Sequence, residues 1–149
     1  MDVAYTVFIF VNKPVHEVFE AVADPAQLSS YFTTGGASGR LESNRTVTLD
    51  FADFPGAFPV HVGEVVQDEK IAFRWPANES GKNYELDVTI RFSAVGEGRT
   101  KVEIEESGWH ESETARKASY LNCMGWSQML CALKMWAEHK INLREGAYK

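Results

Sequence analysis

The chain has 149 residues, of which 44% are hydrophobic and 24% are charged, and its formal net charge is -6. This length and composition predict a single folded domain over residues 1–149 rather than a disordered chain. The lysines and arginines are scattered among the more numerous acidic residues, which disfavours binding to nucleic acid or to an anionic membrane surface. We therefore expect neither as a partner.

Targeting and metal motifs are also missing from the sequence. No cationic start precedes an apolar run, and no stretch approaches the ~18 apolar residues of a spanning helix, so we expect a cytoplasmic protein. Cys123 and Cys131 fall eight residues apart in one predicted helix, about 12 Å at ~1.5 Å per residue, which is too far for a disulfide. No pair of histidines has metal-ligand spacing, and we expect no metal and no cofactor.

The first predicted elements are a strand and two short helices. Between positions 5 and 12, Tyr5, Val7, Ile9 and Val11 alternate with Thr6, Phe8, Phe10 and Asn12, which indicates a strand with both faces at least partly covered. Pro14 suits the first turn of a helix, whose apolar spacing continues until Pro25 disfavours helical geometry in the residue before it. A second short helix is predicted from Pro25 to Ser30.

Four or five antiparallel strands joined by short turns follow. Residues 84–93 alternate most clearly, which is typical of a strand with one face in a core and the other in water. A hairpin loop at residues 96–98 leads into a partner strand that places Val102 and Ile104 inward. The remaining strands are predicted at residues 46–51, 58–66 and 71–75.

From Thr114 to about Leu143 the apolar period changes to 3.6, which predicts one long helix. Its core-facing stripe comprises Trp126, Met129, Leu130, Leu133, Trp136, Ala137 and Ile141. A sheet with one apolar face and a helix with one apolar stripe bury these apolar surfaces by packing against each other. We therefore predict an α+β fold in which a curved antiparallel sheet of about six strands wraps around the C-terminal helix. Where the sheet curls away from the helix a cavity is expected, unless large side chains fill it.

The sequence resembles the START-like, or SRPBCC, helix-grip superfamily, and within it the family named after activators of the heat shock protein 90 ATPase. The resemblance covers essentially the whole chain and depends on the order of its motifs. The motifs are VNKPVHEVF at 11–19, GEVV at 63–66 with IAFRW at 71–75, TKVEIEESGW at 100–109, and GW at 125–126. The family commonly has a Trp-Phe pair after the first helices, and Tyr31 and Phe32 stand here instead. The resemblance implies the helix-grip fold and says little about function.

Aromatic and polar side chains are expected to converge where the sheet meets the start of the long helix. They form either a filled core or a pocket for a flat hydrophobic ligand. The predicted ligand-binding residues are Phe32, Trp75, Tyr84, Phe92, Glu106, Trp109, Tyr120, Asn122 and Trp126.

Two residues are weak candidates for catalysis. Alternation from Val102 and Ile104 places Glu106 inward, as a ligand anchor or general acid, unless the strand end has already twisted into solvent. His61 faces outward if Val60 and Val62 face the core, and inward only if a bulge reverses the phase.

One apolar feature lies on the back of the long helix. Met124, Cys131 and Met135 form a narrow row there, which we call the exposed row. Such a row is typical of a contact with a second copy of the chain or with another protein. The alternative is that these are scattered exposed apolar residues without a function.

Three functions remain open from the sequence. The first is a non-enzymatic binder of a small hydrophobic molecule in the cavity. The second is a chaperone ATPase co-regulator, as the resemblance to heat shock protein 90 activators implies. The third is an enzyme of the cyclase or dehydratase kind found elsewhere in the superfamily, with Glu106 as its base.

Overall fold

The structure is a computed structural model that describes residues 3–149, apart from the side chains of residues 54 and 55. Within that range the chain forms seven strands and three helices. In chain order they are β1 (Val3–Val11), α1 (Val15–Ala23), α2 (Pro25–Leu28), β2 (Gly36–Ala37), β3 (Thr46–Phe51), β4 (Phe54–Val66), β5 (Lys70–Pro76), β6 (Glu85–Ala94), β7 (Thr100–Trp109) and α3 (Glu113–His139).

All strands belong to one antiparallel sheet in the order β1-β7-β6-β5-β4-β3-β2. Successive side chains of β6 and β7 alternate between buried and accessible positions, so one face of these strands meets the core. The helix α3 packs on the sheet, and the α+β fold with two short helices after β1 is confirmed. The two-residue β2 was not predicted, because Gly36 and Ala37 carry no alternation.

The helix α3 begins and ends with identifiable caps. The Ser112 hydroxyl accepts a hydrogen bond from the Ala115 N–H at 3.1 Å, and Lys140 stops the helix in the left-handed region at φ 56°. Five members of the predicted stripe are buried, and Trp136 is half-buried. Ile141 is 54% exposed because it lies beyond the end of the helix, so its predicted place in the stripe was wrong.

The two ends of the layered structure differ. At one end α1 closes the core, where the Phe19 ring lies 5.3 Å from that of Phe92 on β6. On the β1 side α3 is held by Lys134, whose ammonium donates to the Phe10 carbonyl at 2.9 Å. The opposite end, beside residues 121–128 of α3, stays open. Across residues 3–149, helices long and apolar enough to cross a membrane are lacking.

Candidate functional site

A cavity of about 420 Å³ opens between the sheet and residues 121–128 of α3. It falls within the usual size range of small-molecule sites. Aromatic rings in contact form much of its wall, with Trp126 lying 5.0 Å from Trp75 and 5.6 Å from Phe32 between ring centroids. The lining residues are Phe32, Phe51, Asp53, Phe58, Trp75, Pro76, Asn78, Leu121, Asn122, Met124, Gly125, Trp126, Gln128, Arg144 and Tyr148.

Behind this wall lies Glu106, whose side chain is fully buried. One carboxylate oxygen accepts hydrogen bonds from the Tyr5 hydroxyl at 2.6 Å and the Asn122 amide at 3.0 Å. The other oxygen accepts from the indole N–H groups of Trp126 at 2.9 Å and Trp75 at 3.1 Å. A single inward carboxylate thus joins β1, β5, β7 and α3.

The Glu106 carboxylate is held by neutral donors, since the ion pairs found among the described residues do not include it. An indole N–H can only donate, so both tryptophans require an acceptor at this point. Burial, and then the charge of Glu106, raise the pKa of the Tyr5 phenol far above its usual value of 10.0. Tyr5 therefore remains protonated and serves as a donor.

The structure places Glu106 behind the cavity wall rather than in its lining. Its carboxylate does not line the cavity, and four donors occupy the lone-pair directions that a general base would need. Three of those donors, on Trp75, Asn122 and Trp126, belong to side chains that do line the cavity. Glu106 therefore holds three side chains of that wall through hydrogen bonds.

The polar side of the cavity contains an ion pair between Asp53 and Arg144. Arg144 Nη2 donates to Asp53 Oδ1 at 2.8 Å. Arg144 Nε and Asp53 Oδ2 are also 2.8 Å apart, but their geometry is not that of a hydrogen bond, and we treat this contact as electrostatic. The guanidinium lies over the rings of Phe51 and Tyr148 at 5.2 and 5.3 Å, in cation–π contact.

Gly125 is the point at which α3 comes to the cavity without a side chain. A Cβ atom built there meets nothing within 4 Å. Glycine in a helix interior destabilises it by roughly 0.5–1 kcal/mol relative to alanine. At this position the missing side chain leaves the cavity open.

Four of the residues predicted to bind a ligand line the cavity together: Phe32, Trp75, Asn122 and Trp126. Tyr84 and Trp109 do not line it. Trp109 packs in a separate apolar cluster with Leu86, and Tyr84 packs at its edge and stacks on the His110 ring at 3.6 Å. A bulge in the β1–β7 pairing, beside Gly108 at φ 97°, turns Trp109 toward that cluster.

Phe92 and Tyr120 also lie away from the cavity. Phe92 faces inward as predicted, but it is six residues along β6 from Leu86, the partner of Trp75. At ~3.4 Å per residue that is about 20 Å, which places Phe92 against α1. Tyr120 is 63% exposed on α3.

His61 faces solvent, with its side chain 50% exposed, and does not line the cavity. Its neighbours Val60 and Val62 are buried, so the phase of β4 is not reversed there. Its ring nitrogens meet the Thr46 hydroxyl at 3.2 Å and a Glu85 carboxylate oxygen at 3.3 Å on the outer face of the sheet.

Sequence reasoning missed several lining residues, and two of them lie far from the rest in sequence. Phe51 continues the inward phase of Val47 and Leu49, and Phe58 shares that of Val60 and Val62, so this phase was available as a signal. Arg144 and Tyr148 follow the end of α3, where the chain has turns but no periodicity from which a fold-back could be predicted.

The exposed row is not separate from the cavity. Met124 is 54% exposed and lies at the cavity mouth beside Leu121, which is 60% exposed. Cys131 is exposed and Met135 is half-buried. The apolar surface therefore extends from the row to the rim of the cavity.

The family described as Activator of Hsp90 ATPase homolog 1-like protein matches residues 12–138. The chain belongs to this family. The resemblance inferred from the motifs is thereby confirmed. A comparison with curated proteins gave no match.

Solved structures share the fold of this chain. The chain is similar to protein SSP2350 of Staphylococcus saprophyticus, with 26% identity and a TM-score of 0.79 over 95% of this chain and 96% of that one. The Aha1 dimer of Colwellia psychrerythraea shares 19% identity, with a TM-score of 0.75 over 92% of this chain and 97% of that one. An HSP90 activator of Plasmodium falciparum shares 20% identity, with a TM-score of 0.68 over 84% and 88%. The last two are similarities of fold alone.

Proposed function

We propose that this member of the family binds a small, flat, hydrophobic molecule in the cavity beside α3. The observation that carries the proposal is the cavity itself, about 420 Å³ lined by five aromatic side chains of the sheet, the loop after α2 and α3. Phe32, Trp75 and Trp126 would stack against the ligand, and Asn122 would orient it.

Two features indicate that the cavity is a binding site rather than a packing defect: the hydrogen bonds that fix its wall and the glycine on its helix side. Glu106 holds the two indoles and Asn122 through hydrogen bonds, so the wall is fixed before a ligand arrives. Preorganisation of this kind reduces the entropy lost on binding. Gly125 keeps the helix side of the cavity empty at a cost to helix stability.

The test is titration of the purified protein with N-phenyl-1-naphthylamine, an uncharged aromatic probe that fluoresces in apolar surroundings. The wild type should bind the probe, and Gly125→Phe, which fills the cavity, should weaken binding at least roughly tenfold. Gly125→Ala is the matched control: it should retain binding and stabilise α3 by about 0.5–1 kcal/mol.

A wild type that does not bind the probe, or a Gly125→Phe variant that is folded by circular dichroism and binds it undiminished, would contradict the proposal. Native mass spectrometry after gentle purification gives a second readout. A retained small molecule in the wild type, absent from Gly125→Phe, is expected.

A chaperone co-regulator is the second candidate, favoured by membership of a family described by its Hsp90 ATPase activators. This function needs a protein-binding surface, and the apolar rim around Leu121 and Met124 offers an exposed one. Stimulation of an Hsp90 ATPase by the purified chain, lost in Leu121→Glu, would support it. Catalysis by Glu106 has no comparable support, since its oxygens are occupied by four donors.

We also propose that the exposed row of Met124, Cys131 and Met135 is the centre of a homodimer contact. The Colwellia psychrerythraea relative was solved as a dimer. In a dimer with two-fold symmetry the same surface of both copies meets, so one narrow apolar row can be covered by the same row of a second copy.

A further inference from the structure

The charged side chains of the cavity lining are Asp53 and Arg144, as far as the described part of the chain extends. They carry opposite charges and pair with each other, so the lining has no net charge. Both are largely buried, with side chains 14% and 15% exposed. The cation is therefore neutralised inside the protein before any ligand enters.

The pairing also fixes the direction of the Arg144 guanidinium. Its Nε and Nη2 edge lies against the Asp53 carboxylate, with both N–O distances at 2.8 Å. Its faces lie over the rings of Phe51 and Tyr148. Little of this cation remains available to a ligand.

We propose that Asp53 makes the cavity selective for uncharged ligands by holding the charge of Arg144. This rests on the proposed function and adds the ligand class to it. An anionic ligand would lose its hydration on entering an apolar cavity, and it would lie close to the Asp53 carboxylate. An uncharged aromatic ligand meets neither penalty.

The selectivity can be measured with two probes that share one skeleton. N-phenyl-1-naphthylamine is uncharged, whereas 8-anilinonaphthalene-1-sulfonate carries a sulfonate on the same ring system. The wild type should bind the uncharged probe more tightly. Asp53→Asn frees the cation, and a charge-assisted contact to the sulfonate should raise affinity for the anionic probe about tenfold. The ratio of the affinity for the anionic probe to that for the uncharged probe should therefore rise.

The double variant Asp53→Asn with Arg144→Gln is the matched control. It keeps a hydrogen-bonding pair of similar shape but removes both charges, so the gain for the anionic probe should disappear. This result would show that the gain comes from the freed cation rather than from an altered C-terminal segment.

The ratio of the two affinities decides the outcome. An Asp53→Asn variant that leaves the ratio unchanged, including one in which both affinities rise or fall together, would overturn the selectivity proposal. So would a wild type that binds the anionic probe as tightly as the uncharged one. Failure of the proposed function looks different: neither probe would bind the wild type, or both would bind Gly125→Phe undiminished.

Discussion

Glu106 shows how one buried side chain can shape a cavity that it does not touch. Its two oxygens accept from Tyr5, Trp75, Asn122 and Trp126, which come from three different elements. A buried carboxylate without a cation is stable only when such donors replace its hydration. Each of the four donors bonds to a Glu106 oxygen, and this bond fixes the orientation of the donor side chain.

The free energy of unfolding of Glu106 variants should therefore depend steeply on how many hydrogen bonds the new side chain can accept. Glu106→Gln keeps one strong acceptor for the indoles, while the Tyr5 hydroxyl and the Asn122 amide can reorient toward the new NH₂, and we expect a loss of about 1–3 kcal/mol. Glu106→Met leaves one buried and three partly buried donors without an acceptor, so it should cost more than Glu106→Gln, roughly 3–5 kcal/mol. Urea unfolding measures both. Equal stability of the two variants would show that the network does not hold the wall.

For single residues, the sequence predicts which face of a strand a side chain takes better than it predicts which residues that side chain contacts. Alternation from Val102 and Ile104 predicted that Glu106 faces inward, because a strand has a side-chain period of two. Strict alternation would turn Trp109 outward, but a bulge near Gly108 changes the phase at the strand end and Trp109 is buried beside Leu86. Contacts with Tyr5 and Trp75 span 101 and 31 residues, and no local pattern encodes them.

At the scale of elements, the start of α3 is tied to the loop between β5 and β6 by Glu79. This largely buried carboxylate accepts from Tyr84, and from the Thr114 and Ser112 hydroxyls at 2.8 and 3.2 Å. Its negative charge lies at the helix N-terminus, where the macrodipole favours it. The hydrogen bonds from Tyr84 and then Thr114 lower the pKa of Glu79 below its ordinary value of 4.5.

This shift predicts how the Glu79 contribution depends on pH. A carboxyl group with a lowered pKa binds fewer protons in the folded state than in the unfolded state, so it stabilises the fold above its ordinary pKa. The contribution disappears as pH falls through the lowered value. The difference in unfolding free energy between wild type and Glu79→Gln should thus be largest near neutral pH and shrink below pH 4.5.

The matched control for Glu79 is Glu97→Gln, in the exposed loop between β6 and β7. It should leave the unfolding free energy close to wild type at either pH. A Glu79→Gln variant whose deficit stays constant from neutral to acidic pH would contradict the role assigned to the carboxylate.

The long elements were predictable because their periods persist over many residues. The helix α3 was expected from Thr114 to about Leu143 and runs from Glu113 to His139. Its start follows the capping residue Ser112. Its end is set by Lys140 in a left-handed conformation, which the apolar periodicity does not predict. The short β2 lacked the length needed for a pattern.

At the scale of the whole molecule, the cavity is a product of topology rather than of any one segment. Its lining extends from Phe32 to Tyr148, across most of the chain. The sequence predicted that a gap would form between sheet and helix, from the mismatch of their shapes. It could not predict that Arg144 returns to pair with Asp53, because that contact joins residues 91 apart.

The exposed row of Met124, Cys131 and Met135 is expected to connect two copies of the chain. A specific dimer centred on the exposed row should bury more than ~1,000 Å² in total. The chain should then sediment as a dimer at high micromolar concentration. Cys131 is exposed, lies between Met124 and Met135 in the row, and does not line the cavity, so it can be changed without touching the ligand site.

Cys131→Glu would place two like charges across the two-fold axis and should shift the protein to a monomer with its unfolding transition retained. Ser93→Glu adds the same charge on the exposed side of β6, opposite Lys101, and should leave the dimer intact. Sedimentation equilibrium distinguishes the two variants. A monomeric wild type, or a Cys131→Glu variant that remains dimeric, would remove the row from the interface, because a two-fold contact centred there cannot accommodate paired carboxylates without loss of affinity.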